Sequence, residues 1–231
     1  MSRHLVRISA PKTWPIKRKG ITFIVKPRGS HPAEQGLPLL VVLRELLHFA
    51  DTAREVKRLL HTEELLVDGR RVKDHKRIVG LFDVITIPKI KENYRMHLNR
   101  QGKIAAMKVA DANLKPCKII GKTMVAGKVQ LNLHDGKNLF GDNSSKVGDT
   151  LLLEVPDQKI VQQLRLERGA AVYITKGKHL GSIGIVESIS DSGLVCKSDA
   201  HTFLMPKAYA FVLGKGKSAI QVDVIDAKAD K

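Results

Sequence analysis

Aromatic residues are scarce. Phe, Trp and Tyr make up 4% of the 231 residues, too few for a broad base-stacking platform to be the main mode of binding. Cysteine is nearly absent. Cys117 and Cys196 allow one bridge at most, so a cytosolic protein with two reduced, buried thiols is expected. Long apolar runs are missing too. The longest, Leu37 to Leu43, contains Pro38 and stops at Arg44, far short of the roughly 20 residues that span a bilayer. Met1-Ser2-Arg3-His4 leads into no apolar signal core, so no secretory leader is expected. Acid is the last shortage: 23 Asp and Glu face 40 Lys and Arg, a formal net charge of +17. Such a chain repels itself and calls for an anionic partner: nucleic acid, an anionic membrane or an acidic protein.

Motifs for chemistry are also wanting. Gly121-Lys122-Thr123 suggests a phosphate loop, but the required upstream glycine is Pro116. Gly214-Lys215-Gly216 lacks the third glycine of a dinucleotide fingerprint, and there is no His-Glu-x-x-His or Gly-x-Ser-x-Gly. The two cysteines have no ligand-spaced companions, so neither a metal nor a cofactor is expected, and the chain reads as no enzyme.

What is present is positive charge, unevenly placed. Residues 1–35 hold 8 Lys and Arg against Glu34 alone. Prolines 11, 15, 27 and 32 argue against a long helix there. Residues 1–36 are therefore expected to form an extended basic arm along phosphates, with Arg3, Arg7, Lys12, Lys17, Arg18, Lys19 and Arg28 as contacts. Trp14, Ile16, Ile21, Phe23, Ile24 and Val25 would anchor it. Seven of the 18 glycines precede a lysine; read as turns, they would carry ammonium groups at loop tips.

Residues 37–61 read as two helices. Leu39, Val42, Leu43, Leu46 and Ala50 recur at helical spacing, and Asp51 is the expected N-cap of the second helix. In that second helix Ala53, Val56, Leu59 and Leu60 share one face. Arg54, Lys57, Arg58 and His61 share a nearly opposite one, a stripe suited to a phosphate backbone. Asp68-Gly69 between apolar runs signals a hairpin that carries Arg70 and Arg71, followed by Lys73. Gly80 to Ile87 reads as a turn and a buried strand. This succession over 37–94 resembles the S-four RNA-binding domain, whose second helix and hairpin hold folded RNA. Residues 95–166, with Val129-Gln130-Leu131-Asn132-Leu133, a turn at His134-Asp135-Gly136-Lys137 and the strand Leu151–Val155, read as a central antiparallel β domain. Residues 167–231 hold Gly169 to Val186, a strand, a Gly/Lys-rich loop and a strand. That segment resembles the KOW motif of small β-barrels, and the resemblance points to Lys176, Lys178 and His179. The expected class is thus α+β and multi-module.

Taken in order, these parts resemble the family of small-subunit ribosomal protein four of eukaryotic and archaeal type. His4-Leu5, Arg7, Ala10-Pro11 and Trp14 are similar to its opening. Gly127-Lys128-Val129-Gln130-Leu131-Asn132-Leu133-His134-Asp135-Gly136 is similar to its central segment, and Phe211-Val212-Leu213-Gly214 to its close. The short tail after the barrel looks archaeal. The resemblance implies a structural constituent of the small subunit, in the cytoplasmic ribosome. Its partners would be ribosomal RNA and neighbouring ribosomal proteins, with no membrane and no small-molecule substrate. Two other classes compete. A KOW-type regulator would bind polymerase rather than subunits. An RNA-modifying enzyme would depend on a single carboxylate, yet the Gly-Arg-Leu-Asp motif of pseudouridine-forming enzymes is absent.

Overall fold

The computed structural model describes residues 4–190, 193–198 and 201–216. The chain forms two compact units, one of residues up to 97 with 102–113, the other of 98–101 with residues from 114 onward.

The first unit begins with two short strands, β1 (Leu5–Val6) and β2 (Phe23–Ile24), paired antiparallel. Among its described residues the arm makes only short elements and no long helix, and one of its expected anchors packs inward. Trp14 is fully buried, and its indole N–H donates to the Ala33 carbonyl at 2.8 Å. Of the expected anchors, Ile21 and Phe23 are instead exposed. Next come β3 (Gly36–Pro38) and helix α1 (Leu39–Val41), which continues as a wider turn over Val42–Leu46. There Leu47 N–H reaches back five residues to Val42 O, at 3.0 Å. Leu39 through Leu43 are all buried, so this helix is enclosed on every side rather than amphipathic.

Helix α2 (Ala53–Thr62) has the expected two faces, with Val56 and Leu60 buried. Its N-cap is Thr52, not Asp51. The Thr52 hydroxyl accepts from Glu55 N–H at 3.2 Å, and the Glu55 carboxylate accepts from the N–H groups of Thr52 and Asp51. This reciprocal box satisfies donors that helix geometry leaves open. Thr52→Ala is expected to cost about 1 kcal/mol, and Asp51→Ala much less. A urea melt that ranked them the other way would return the cap to Asp51.

Strands β4 (Leu66–Val67) and β5 (Arg70–Arg71) form the expected hairpin. Asp68 and Gly69 both adopt positive φ, 50° and 70°, as a tight turn matched to strand twist requires. β6 (Ile78–Gly80) pairs with β3. β7 (Val84–Ile87), β8 (Glu92–Leu98) and β9 (Ile104–Lys108) complete a five-stranded sheet in the order β5-β4-β7-β8-β9. The boundary expected at residue 94 therefore falls inside a strand. β8 continues the sheet because Val84 to Ile87 register against Arg95 to Glu92.

The second unit carries two sheets. Its first comprises β10 (Leu114–Val125), β11 (Lys128–Leu133), β12 (Asn138–Phe140), β13 (Thr150–Glu154) and β14 (Lys159–Leu164), ordered β12-β11-β10-β13-β14. Cys117, Ile119, Leu131, Leu133, Leu151 and Leu153 form its core. Two residues per strand at a spacing of two is the signature of one buried sheet face. The second sheet comprises β15 (Ala170–Ile174), β16 (Ile183–Ile189), β17 (Leu194–Ser198), β18 (His201–Met205) and β19 (Ala210–Lys215), ordered β18-β17-β16-β15-β19. Val172, Ile174, Val186, Cys196 and Val212 are at its centre.

The two sheets share the unit rather than standing apart. Lys118 on β10 donates through Nζ to the carbonyls of Ala208 and Ala210, at 2.7 and 2.6 Å, and burial pulls its pKa down to about 8. His134 meets Phe211 edge to face at 5.1 Å between centroids.

Candidate nucleic-acid interface

In the first unit Arg54, Lys57, Arg58 and His61 are all exposed on α2, on the face away from Val56 and Leu60. Arg70, Arg71 and Lys73 are exposed on the hairpin and just after it. Arg28 is exposed as well, and its backbone is held in register beside residues 76–78. Arg28 N–H donates to Lys76 O, and Ile78 N–H donates to Arg28 O, both at 2.8 Å. Partial burial lowers the His75 pKa, and the nearby charges of Lys57, Lys76 and Arg28 push the same way, against Asp74. The arm, α2 and the 74–77 loop thus converge as one cationic region around His75.

Lys76 and exposed Arg77 belong to this region and were missed by sequence reading. The run Lys73-Asp74-His75-Lys76-Arg77 was the available signal, but only the pairing with Arg28 shows where it lies.

Other arm cations are turned inward. Arg7 is 5% exposed. Its guanidinium donates to Lys17 O at 2.6 Å and meets the Glu45 carboxylate at 3.4 Å. Arg18 donates to the carbonyls of Ala10 and Pro11, at 2.9 and 2.8 Å, and to Ile8 O at 3.1 Å. Both depart from the expected phosphate-facing role, because a planar fork with several donors suits a turn that gathers several carbonyls. Lys12, Lys17 and Lys19 are exposed. Arg3 lies outside the described residues. The Gly-Lys pattern also divides. Gly102, Gly127, Gly136, Gly177 and Gly216 have positive φ, whereas Gly121 and Gly214 lie within β10 and β19.

In the second unit Lys176 and Lys178 are exposed on the loop between β15 and β16, and half-buried His179 stacks on Phe203. A different cluster, Cys117, His134 and Asp135, brings three possible metal-ligating atoms within 4.8 Å of one another. Its cationic place is already filled. Lys115 Nζ stands 3.2 Å from Asp135 Oδ2, and Lys137 Nζ 3.4 Å. Burial works against the Asp135 carboxylate, but Lys115, His134 and Lys137 outweigh it and hold the pKa below the ordinary value. Two ammonium groups on one carboxylate make this a structural ion-pair core, ill suited to a cation. Both cysteines are buried thiols, not joined in a disulfide. Burial, with Glu187 adding to it, pushes the Cys196 thiol up to about 11.

An exposed cationic face fits several kinds of anionic partner, and comparison with known proteins narrows the choice. Residues 1–34 match the model of the RS4NT (NUC023) domain, and residues 90–160 that of Ribosomal family S4e. Small ribosomal subunit protein eS4 of Methanocella arvoryzae is 42% identical over 226 residues, covering 94% of this chain and 97% of that protein.

The chain belongs to the eS4 family.

The eS4 protein of Archaeoglobus fulgidus is 43% identical over 222 residues, 93% of this chain and 94% of its own. The crystal structure of the 30S ribosomal protein S4e from Thermoplasma acidophilum superposes with a TM-score of 0.69. It is 34% identical and covers 78% of this chain and 96% of that one. Among eS4 proteins the mostly-β architecture is therefore shared. The resemblance read from the opening and central segments falls on the two stretches that the family models match.

Proposed function

We propose that this eS4 family member is a structural constituent of the small ribosomal subunit, in the cytoplasmic ribosome. There it binds small-subunit ribosomal RNA and neighbouring ribosomal proteins without catalysing a reaction. The observation that carries the reading is its full-length similarity to archaeal eS4 proteins. The exposed cationic region of the first unit gives it a mechanism. Lys and Arg displace counterions from phosphates, and the fixed shape of the unit selects folded RNA over a flexible polyanion.

Residues 37–94 act, in this reading, as an S-four module. What supports it is the order of enclosed helix, basic-striped helix, Asp-Gly hairpin and buried strand. Residues from 167 act as a KOW-type barrel, supported by the β15–loop–β16 arrangement. The primary contacts are Arg54, Lys57, Arg58, Arg70 and Arg71. Arg28, Lys73 and the exposed arm lysines 12, 17 and 19 come next, and Lys176, Lys178 and His179 last. Among the described residues no helix is long and apolar enough to cross a membrane.

The test is sedimentation of the native protein through a sucrose gradient. It is expected to travel with small subunits at low salt and to be released as salt rises. Protein that stays at the top at low salt overturns the proposal.

A further inference from the structure

The second unit contains an open cleft of about 380 Å³ whose walls include Arg100, Lys178, His179, Ser198, His201 and Phe203. That volume lies in the range of small-ligand sites, roughly 300–1,000 Å³. Three features of the cleft point to one kind of occupant.

The first is a ring surface in a chain otherwise poor in aromatics. His179 and Phe203 lie face to face, with centroids 4.1 Å apart and planes inclined by 16°. Both are only partly buried. A flat apolar partner can add to such a stack.

The second is charge. Arg100 and Lys178 line the same cleft and are exposed, and its described walls hold no carboxylate. An anionic group is favoured and a cationic one disfavoured.

The third is rigid support. Tyr173 is fully buried, and its hydroxyl both donates to Leu98 O at 2.6 Å and accepts from Leu98 N–H at 2.9 Å. This holds the segment that carries Arg100. Gly181 lies so close to that segment that a Cβ would stand 2.6 Å from Asn99 O, and its φ is +79°. The loop bearing Lys178 and His179 is therefore clamped against residues 98–99. Ser182 Oγ donates to His179 O at 2.6 Å and Ser198 Oγ to Ile183 O at 3.2 Å. Their protons are directed to the backbone, so Ser182 and Ser198, which line the cleft, keep their lone pairs as acceptors.

A flat ring, an anion beside it and N–H groups at the ring's edge together describe a nucleotide. We infer that this cleft captures one unpaired nucleotide of RNA, its base extending the His179–Phe203 stack and its phosphate between Lys178 and Arg100. The inference rests on the RNA-binding reading above and deepens it. Single-stranded loops and bulges offer such splayed bases, and His and Phe are suitable stacking partners. The α2 stripe offers mainly phosphate donors, with the single ring of His61 beside them. The cleft adds a local preference for a bulged or looped position to the shape recognition of the first unit.

The experiment uses the full chain and a short single-stranded oligouridine bearing one central 2-aminopurine, whose fluorescence falls on stacking. Quenching is expected on binding. An oligonucleotide with an abasic site at that position should bind roughly five- to a hundredfold more weakly, the range that one base–aromatic stack supplies. His179→Ala, a change on a partly exposed loop, should remove most of the quenching and leave the salt slope unchanged. Phe203→Leu should do the same. Lys178→Ala should retain quenching and flatten the slope by about 0.7, one contact on a single strand. Equal affinity for the abasic strand, or unaltered quenching with His179→Ala, overturns the inference. Displacement of the oligonucleotide by a short glutamate-rich peptide that binds more tightly assigns the cleft to a protein neighbour and also overturns it. Because Lys128→Ala/Lys159→Ala changes exposed residues outside both the cleft and the α2 face, that variant should quench normally. If the wild-type chain travels with small subunits yet never quenches, the cleft fails and the ribosomal reading stands.

Discussion

Replacing Asp135 with asparagine is expected to destabilise the fold by about 3–5 kcal/mol, the cost of leaving a buried charge without its partner. Asp135 and Lys115 have side chains only 1% exposed, and they meet at 3.2 Å. Oδ1 of the same carboxylate accepts from Lys137 N–H at 3.1 Å, and the Lys137 ammonium stands 3.4 Å from Oδ2. Asparagine keeps the size and removes the charge, so the Lys115 side chain would lose the Asp135 carboxylate in a dry interior. The sign of the pH dependence follows from the lowered pKa of Asp135. A carboxyl that holds its proton more weakly when folded contributes stability above its unfolded pKa. It loses that stability as pH falls through the lowered folded value. The wild type should therefore show a steeper acid limb in its stability profile than the variant, which keeps only the contributions of other carboxyls such as Glu55 and Glu92. Urea midpoints across pH measure both. A companion variant, Lys115→Met with Asp135→Leu, should lose less than Asp135→Asn alone, since it removes both of the fully buried charges, while the Lys137 side chain is 27% exposed. A loss under 0.5 kcal/mol for Asp135→Asn would show that the ion pair does not hold this turn.

Removing five cations from the first unit is expected to give the largest functional change. Arg54, Lys57, Arg58, Arg70 and Arg71 are exposed, so converting all five to alanine should leave the urea midpoint nearly unmoved. Each phosphate contact contributes about 0.9 to the slope of log affinity against log salt, which at 0.1 M salt is up to about eightfold in affinity. Five contacts would lower the slope by up to about 4.5 and the affinity by up to about 3 × 10⁴. Filter binding to small-subunit ribosomal RNA over a salt series reads both quantities. A matched control replaces Lys128, Lys159 and Lys207, which are exposed in the second unit. If the control flattens the slope as much per charge as the five-fold variant, the effect is bulk charge and the assigned face is wrong.

Much of the fold was legible because its signals are local. The Asp68-Gly69 hairpin needs two adjacent residues in positive φ, and that dipeptide advertises them. The two faces of α2 follow from spacing alone. The central sheet could be read from Val129 to Leu133, where buried and open positions alternate. Thr52-Ala53-Arg54-Glu55 was equally local, and Asp51 drew attention from it only because carboxylates also cap helices. The rest depended on contacts distant in sequence. Nothing near Arg7 announces Glu45, and nothing near Arg28 announces residues 76–78. Charge counting treats every arginine as outward-facing, so it overestimated the arm and overlooked Lys76 and Arg77. The cleft was half visible: Lys178 and His179 lie in the Gly/Lys loop, but Arg100 arrives from the turn after β8 and Phe203 from β18.

The inward-facing guanidinium of Arg18 changes how its neighbours should be regarded. In composition Lys17-Arg18-Lys19 is one basic triplet, three interchangeable cations. In the folded chain the outer two are open to solvent, while the middle one grips the carbonyls of Ile8, Ala10 and Pro11. An ammonium has no planar fork to span them. Drift between lysine and arginine is thus nearly free at positions 17 and 19 and constrained at 18. Within a single run of charge, tolerance to substitution alternates from one residue to the next.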